Sequence, residues 1–97
     1  MQSPTQKKQY PIITVIGKDK RGIVAQVSSF LWEKKINIEE IQQGIMKGSF
    51  FMVMSIDISE HSISIADLGK ELEALGQEIG VKINIYDQAI FTAMHKI

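Results

Sequence analysis

A chain of 97 residues with 44% hydrophobic and 23% charged side chains has room for one folded core and not for two. Eleven basic and eleven acidic residues cancel to a net charge of zero, which argues against a polyanion-binding surface, so no nucleic-acid partner is expected. The absence of cysteine excludes disulfides, thiolate metal sites and a cysteine nucleophile, and no stretch approaches the roughly 18 continuous apolar residues of a membrane span. The resulting expectation is a cytoplasmic protein with no membrane partner and no cofactor.

Residues 1–9 are polar and are expected to be disordered. Residues 10–16 are rich in β-branched side chains and stop at Gly17, which predicts a first strand, apolar on both faces and central in its sheet. Ile23, Val27, Phe30 and Leu31 then fall on one stripe of a helix running to about Lys35. Between these elements lies Gly17-Lys18-Asp19-Lys20-Arg21-Gly22, a candidate ligand loop. Its glycines permit sharp turning, and the helix opening at Ile23 aims unpaired N–H groups back at the loop, where a carboxylate can sit. The plainer reading is an ordinary strand-to-helix turn.

Asn37-Ile38 opens a second strand with Ile41 and Ile45 on one side and Glu40 and Gln42 on the other, a pattern that suits a sheet edge. Lys47-Gly48-Ser49 is a short turn into a third strand over residues 50–58, so these two strands should form an antiparallel hairpin. The third strand places Phe50, Met52, Met54, Ile56 and Ile58 on one face and Phe51 and Val53 on the other. After a polar loop over residues 59–64, Ile65, Leu68, Leu72, Leu75 and Ile79 recur at helical spacing and stop at Gly80. Val81, Ile83 and Ile85 alternate with polar residues in a fourth, half-exposed strand. Ile90, Phe91, Met94 and Ile97 give the final segment, residues 88–97, the pattern of a short amphipathic helix with one apolar side.

Strand, helix, strand, strand, helix, strand is the ferredoxin-like βαββαβ order: an α+β domain over residues 10–87, with a four-stranded antiparallel sheet and both helices on one face. Right-handed crossovers put the first and third strands at the centre. Those strands are apolar on the uncovered face too, so a second copy of the chain is expected there or at an edge.

On the residues Gly17 to Gly22, the helix start Ile23-Val24-Ala25-Gln26-Val27-Ser28 and the strand start Ile36-Asn37-Ile38, the chain resembles an ACT domain over residues 10–87. Its tail, Ile90-Phe91-Thr92-Ala93-Met94-His95-Lys96-Ile97, resembles that of small free-standing single-ACT proteins. There is also a likeness to the two-module regulatory protein of the glycine cleavage system. The resemblance implies a homodimeric, non-enzymatic regulatory module that binds a small effector, an amino acid or related metabolite, and acts on a regulated protein target. It places the ligand near the subunit interface, between the first loop and a neighbouring strand. By position, Asp19 and Asn37 correspond to the polar residues of amino-acid-binding members. Asp19 would hold an α-ammonium and Asn37 would both donate and accept, while the amides of Gly22 and Ile23 receive an α-carboxylate, flanked by Lys20 and Arg21. A side chain at Gly22 would obstruct that approach. Many such sites carry asparagine where this chain has Asp19, and proline where it has Arg21.

Two alternatives use the same plan. An acylphosphatase-like hydrolase would cast Arg21 as phosphate cradle and Asn37 as the residue orienting water, although the loop lacks the run of small residues that wraps a phosphate. An RNA-binding module would use residues 47–53, with Phe51 as a stacking platform. His61 and His95 stand far apart and without companion ligands, so no metal site is expected. Phe30 and Trp32 read as packing residues of the first helix.

Overall fold

The computed structural model describes residues 10–18, 21–59 and 63–94. Strand β1 (Ile12–Lys18) leads to helix α1 (Ile23–Glu33), strands β2 (Asn37–Met46) and β3 (Ser49–Asp57), helix α2 (Ile65–Ile79), strand β4 (Lys82–Tyr86) and helix α3 (Gln88–Met94). The sheet order is β2-β3-β1-β4 with antiparallel neighbours throughout, so β1 and β3 are central, as the crossover rule requires.

Strand β1 lies two residues later than expected. Pro11 has no N–H to give a ladder; it is buried, and its carbonyl accepts from the Ile56 N–H at 3.0 Å. Gly17, read as the end of the strand, is inside it and pairs with Phe50.

Helix α1 ends in a left-handed turn without glycine. Ile36 N–H donates to the Leu31 carbonyl at 3.0 Å and Lys35 N–H to that of Trp32 at 2.9 Å, with Lys35 at φ 59. Helix α2 starts on Ser64, whose hydroxyl accepts from the Asp67 N–H at 3.0 Å, and ends on Gly80 at φ 81. The β2–β3 turn, Lys47-Gly48, has φ values of 53 and 81, the two-residue left-handed turn whose twist matches a hairpin.

One face of the sheet presents Ile13, Val15, Met52, Met54, Ile56 and Ile83 to Ile23, Val27 and Leu31 of α1 and Leu68 and Leu72 of α2, all buried. A bulge between Ile38 and Glu40 keeps β2 in step with this face. Ile38 pairs with Ile56, Ile41 with Met54 and Ile45 with Phe50, although Ile38 and Ile41 are an odd number of residues apart. Trp32 departs from expectation. Rotated about 100° from Leu31 around the helix, it leaves the core stripe and is 78% exposed, while its neighbour Phe30 packs partly on the core. The opposite sheet face carries Ile12, Ile16, Phe51, Val53 and Tyr86 and is uncovered by α1 and α2. Helix α3 touches it through Phe91, whose ring centroid is 6.1 Å from that of Tyr86, and leaves Ile90 and Met94 exposed.

Candidate ligand-binding site

The candidate site gathers where β1 delivers the chain to α1. A Cβ added at Gly17 would fall 2.7 Å from Val81 Cγ1, so the glycine is what lets the α2–β4 turn close on the strand. Lys18 is exposed at the strand's end, and Asp19 and Lys20 lie outside the described residues. Arg21 is exposed, and Gly22 sits at φ 84, ψ 0, where the requirement for glycine is conformational. From there, among the described residues, no side chain caps the start of α1, and its first turn holds no acidic residue. The Gln26 N–H donates to the Gly22 carbonyl at 2.8 Å, and the N–H groups of Ile23, Val24 and Ala25 precede any helical acceptor. Since the Ile23 side chain is buried, that residue can serve a ligand only through its amide.

Antiparallel order brings two further turns to this end of the sheet. Ser49, just past the hairpin turn, pairs with Lys18, and Lys82 pairs with Ile16. Lys18, Arg21, Lys47 and Lys82, all exposed, therefore share one end of a chain whose net charge is zero. The N-terminus of α1 adds to their positive potential, and the C-terminus of α2, which reaches the same end through Gly80 and Val81, opposes it. Lys47 and Lys82 are functional candidates that sequence reasoning missed. The signal was available: in an antiparallel sheet the turn of one hairpin sits beside the exit of the strand next to it.

Asn37 is not part of this grouping within one chain. It is exposed at the start of β2, paired with Asp57, and β2 runs parallel to β1 with β3 between them. Seven residues of β1 separate the two sheet ends, so Asn37 lies about 20 Å from Gly22. The acylphosphatase-like arrangement, which needs Arg21 and Asn37 on one phosphate, is not formed. Phe51 is half-buried, and a Cβ at Gly44 would meet its ring at 2.9 Å, so the ring leans over the neighbouring strand and does not stand free as a stacking platform. His61 and His95 lie outside the described residues. Among the described residues no helix is long and apolar enough to cross a membrane.

A 2-3-1-4 antiparallel sheet with two helices on one face defines a small ferredoxin-like module, here with a glycine-bounded loop before the start of α1. The ACT domain family model matches residues 9–86, and the chain belongs to that family, whose members are typically ligand-binding regulatory modules. It is 49% identical over 86 residues to a UPF0237 protein of Methanococcus maripaludis, covering 89% of this chain and 96% of that one. It superposes on an ACT domain protein from Streptococcus pneumoniae with a TM-score of 0.79 at 42% identity, over 88% of this chain and 96% of that chain. A glycine cleavage system transcriptional repressor shares the fold, with a TM-score of 0.74 at 18% identity over 90% of this chain and 51% of the repressor.

Proposed function

We propose that this chain is a non-enzymatic cytoplasmic sensor that pairs with a second copy, binds an amino acid or related zwitterion at the β1–α1 loop, and so controls a protein target. The observation that carries this is the start of α1 behind Gly22, which no described side chain caps and which is set among Lys18, Arg21, Lys47 and Lys82. An α-carboxylate there gains N–H donors from Ile23 and its successors and charge from the flanking cations. Asp19 supplies the counter-charge for the ammonium, and Lys20 adds to the attraction for anions.

Pairing would bring in Asn37. β2 is an edge strand flanked by exposed apolar groups: Ile41 and Ile45 on the helix side and Met46 on the other. The flank of α1 that carries Phe30 and Glu33 faces Leu75 and Glu78 of α2, so Trp32 projects on the other flank, towards β2. Two such edges joined antiparallel about a twofold axis near the middle of β2 set the partner's Asn37 across from Met46. Met46 pairs with Ser49, and Ser49 with Lys18, so the partner's Asn37 arrives at the loop end. A ligand held by a loop from one copy and Asn37 from the other favours the paired state by linkage.

The test is calorimetric titration with each standard amino acid, together with molar mass by light scattering. A dimer binding one amino acid, weakened about tenfold or more by either Asp19→Ala or Asn37→Ala, is the expected result. If both variants bind as tightly as the parent, the site assignment is wrong. If binding persists in a monomer, the role of the partner's Asn37 is wrong.

A further inference from the structure

We propose that the outer edge of β4, together with α2, takes an extended polypeptide segment as a fifth strand, with a small apolar residue followed or preceded at a two-residue interval by lysine or arginine. No described residue pairs with the outer edge of β4, so every second N–H and C=O of that strand faces away from the sheet. Edges of this kind are blunted by short strands, by charged residues or by a covering helix; β4 has five residues and one lysine, and α2 lies along it. Its flank there carries Ala66 and Gly69, residues too small to cover the strand, beside Ile65, which packs on the core. A Cβ at Gly69 would fall 3.1 Å from Ile85 Cγ2, so the helix sits close to β4 because that position is glycine. What remains is a groove of about 520 Å³ beside the edge, with Ala66, Gly69, Glu73 and Gln77 along one wall and Lys82, Asn84 and Ile85 along the other.

The shape selects the ligand class. A row of backbone donors and acceptors repeating at about 7 Å is satisfied along its length only by another strand, whereas a small metabolite meets one group of the row. Side-chain preference follows from spacing. Gly69 and Glu73 are four residues apart, about 6 Å along the helix axis, close to the roughly 6.6 Å between alternate residues of a strand. Consecutive groove-facing side chains of a bound strand therefore meet the Ala66–Gly69 gap and then the Glu73 carboxylate. Glu73 is exposed and has no ion-pair partner among the described residues; Lys82 lines the same groove beside the Gln77 end and does not pair with Glu73, so a cation two residues beyond the small side chain is its complement.

The probe is a fluorescein-labelled, amidated peptide of alternating threonine or valine with one alanine and, two residues on, one lysine. Binding is read by fluorescence polarisation and located by amide chemical shifts. Expected results are saturable binding with shifts confined to β4 and α2, a loss of about tenfold or more in Ala66→Leu, and a switch to a glutamate-for-lysine peptide in Glu73→Lys. Methylating the backbone nitrogens on the pairing side of the peptide should abolish binding. Ala66 and Glu73 are exposed helix positions, and circular dichroism checks that both variants fold. The proposal is overturned by no binding up to about 1 mM peptide, by shifts elsewhere, by undiminished binding of the methylated peptide, or by a second copy of the chain occupying this edge. Amino-acid binding at the β1–α1 loop should be unchanged in Ala66→Leu, which separates failure here from failure of the sensor reading.

Discussion

Gly17→Ala puts the closure of the ligand-loop end of the sheet to a quantitative test. The new Cβ would lie 2.7, 3.1 and 3.3 Å from Cγ1, Cβ and Cα of Val81, and because the last is backbone, rotating the valine does not relieve the contact. Overpacking of this kind costs about 1–3 kcal/mol. Gly17 has no positive φ, so alanine incurs no left-handed strain and recovers about 0.5–1 kcal/mol of strand propensity. At mid-range the clash exceeds that gain, leaving a net loss of about 1–2 kcal/mol, with about 2.5 kcal/mol as the upper end. With a urea slope of about 1 kcal/mol per M, the unfolding midpoint should fall by about 1–2 M. Val81→Ala removes the nearest atom, so the double variant should lose about 1 kcal/mol less than the sum of the single variants. A parent-like midpoint for Gly17→Ala, or strict additivity in the cycle, would refute the close approach of the α2–β4 turn to β1.

Ser64→Ala removes the hydroxyl that caps the Asp67 N–H and should cost about 1 kcal/mol, seen as a lower melting temperature in calorimetry; no change would mean that another group caps α2. Lys47→Asn places the preferred Asn-Gly pair in a turn already left-handed at both positions and should stabilise the fold by about 0.5 kcal/mol in urea titration. Trp32→Ala should leave the chain's own stability within about 0.5 kcal/mol, since the side chain is largely outside the core. In sedimentation equilibrium the same variant should shift self-association toward monomer, and a parent-like mass would exclude Trp32 from the paired surface.

Periodicity made the fold legible because burial acts on whole stripes of residues. The alternation along β3 and the Leu68–Leu72 repeat of α2 each have one geometric solution, and both are buried as they read. Single residues beside a stripe were less legible. Trp32 is adjacent in sequence to the fully buried Leu31, and only the angle around the helix separates an anchored aromatic from an exposed one. Gly17 and Gly22 carry the same letter for different reasons, close approach to Val81 in one case and a left-handed backbone in the other. The bulge at Glu39 was hidden because two polar residues in succession there, Glu39 and Glu40, look like ordinary alternation gone out of phase.

Of the candidate site, the loop could be read from the sequence and the distance of Asn37 from it could not, and the cause is strand direction. Asn37 follows α1 by few residues, which suggests nearness to the loop that precedes α1. A helix of 11 residues nevertheless carries the chain about 16 Å back along the sheet before β2 begins. In any βαβ crossover the residue opening the second strand lies at the far end from the loop leaving the first. A ligand contacting both must therefore be reached from another chain, and antiparallel pairing of the β2 edges is an arrangement that reverses the direction of Asn37 relative to the loop. On the proposed pairing, the apolar flank on β2 and the polar residue at its start would have a common explanation: the first would hold two copies together, and the second would serve only when they are joined.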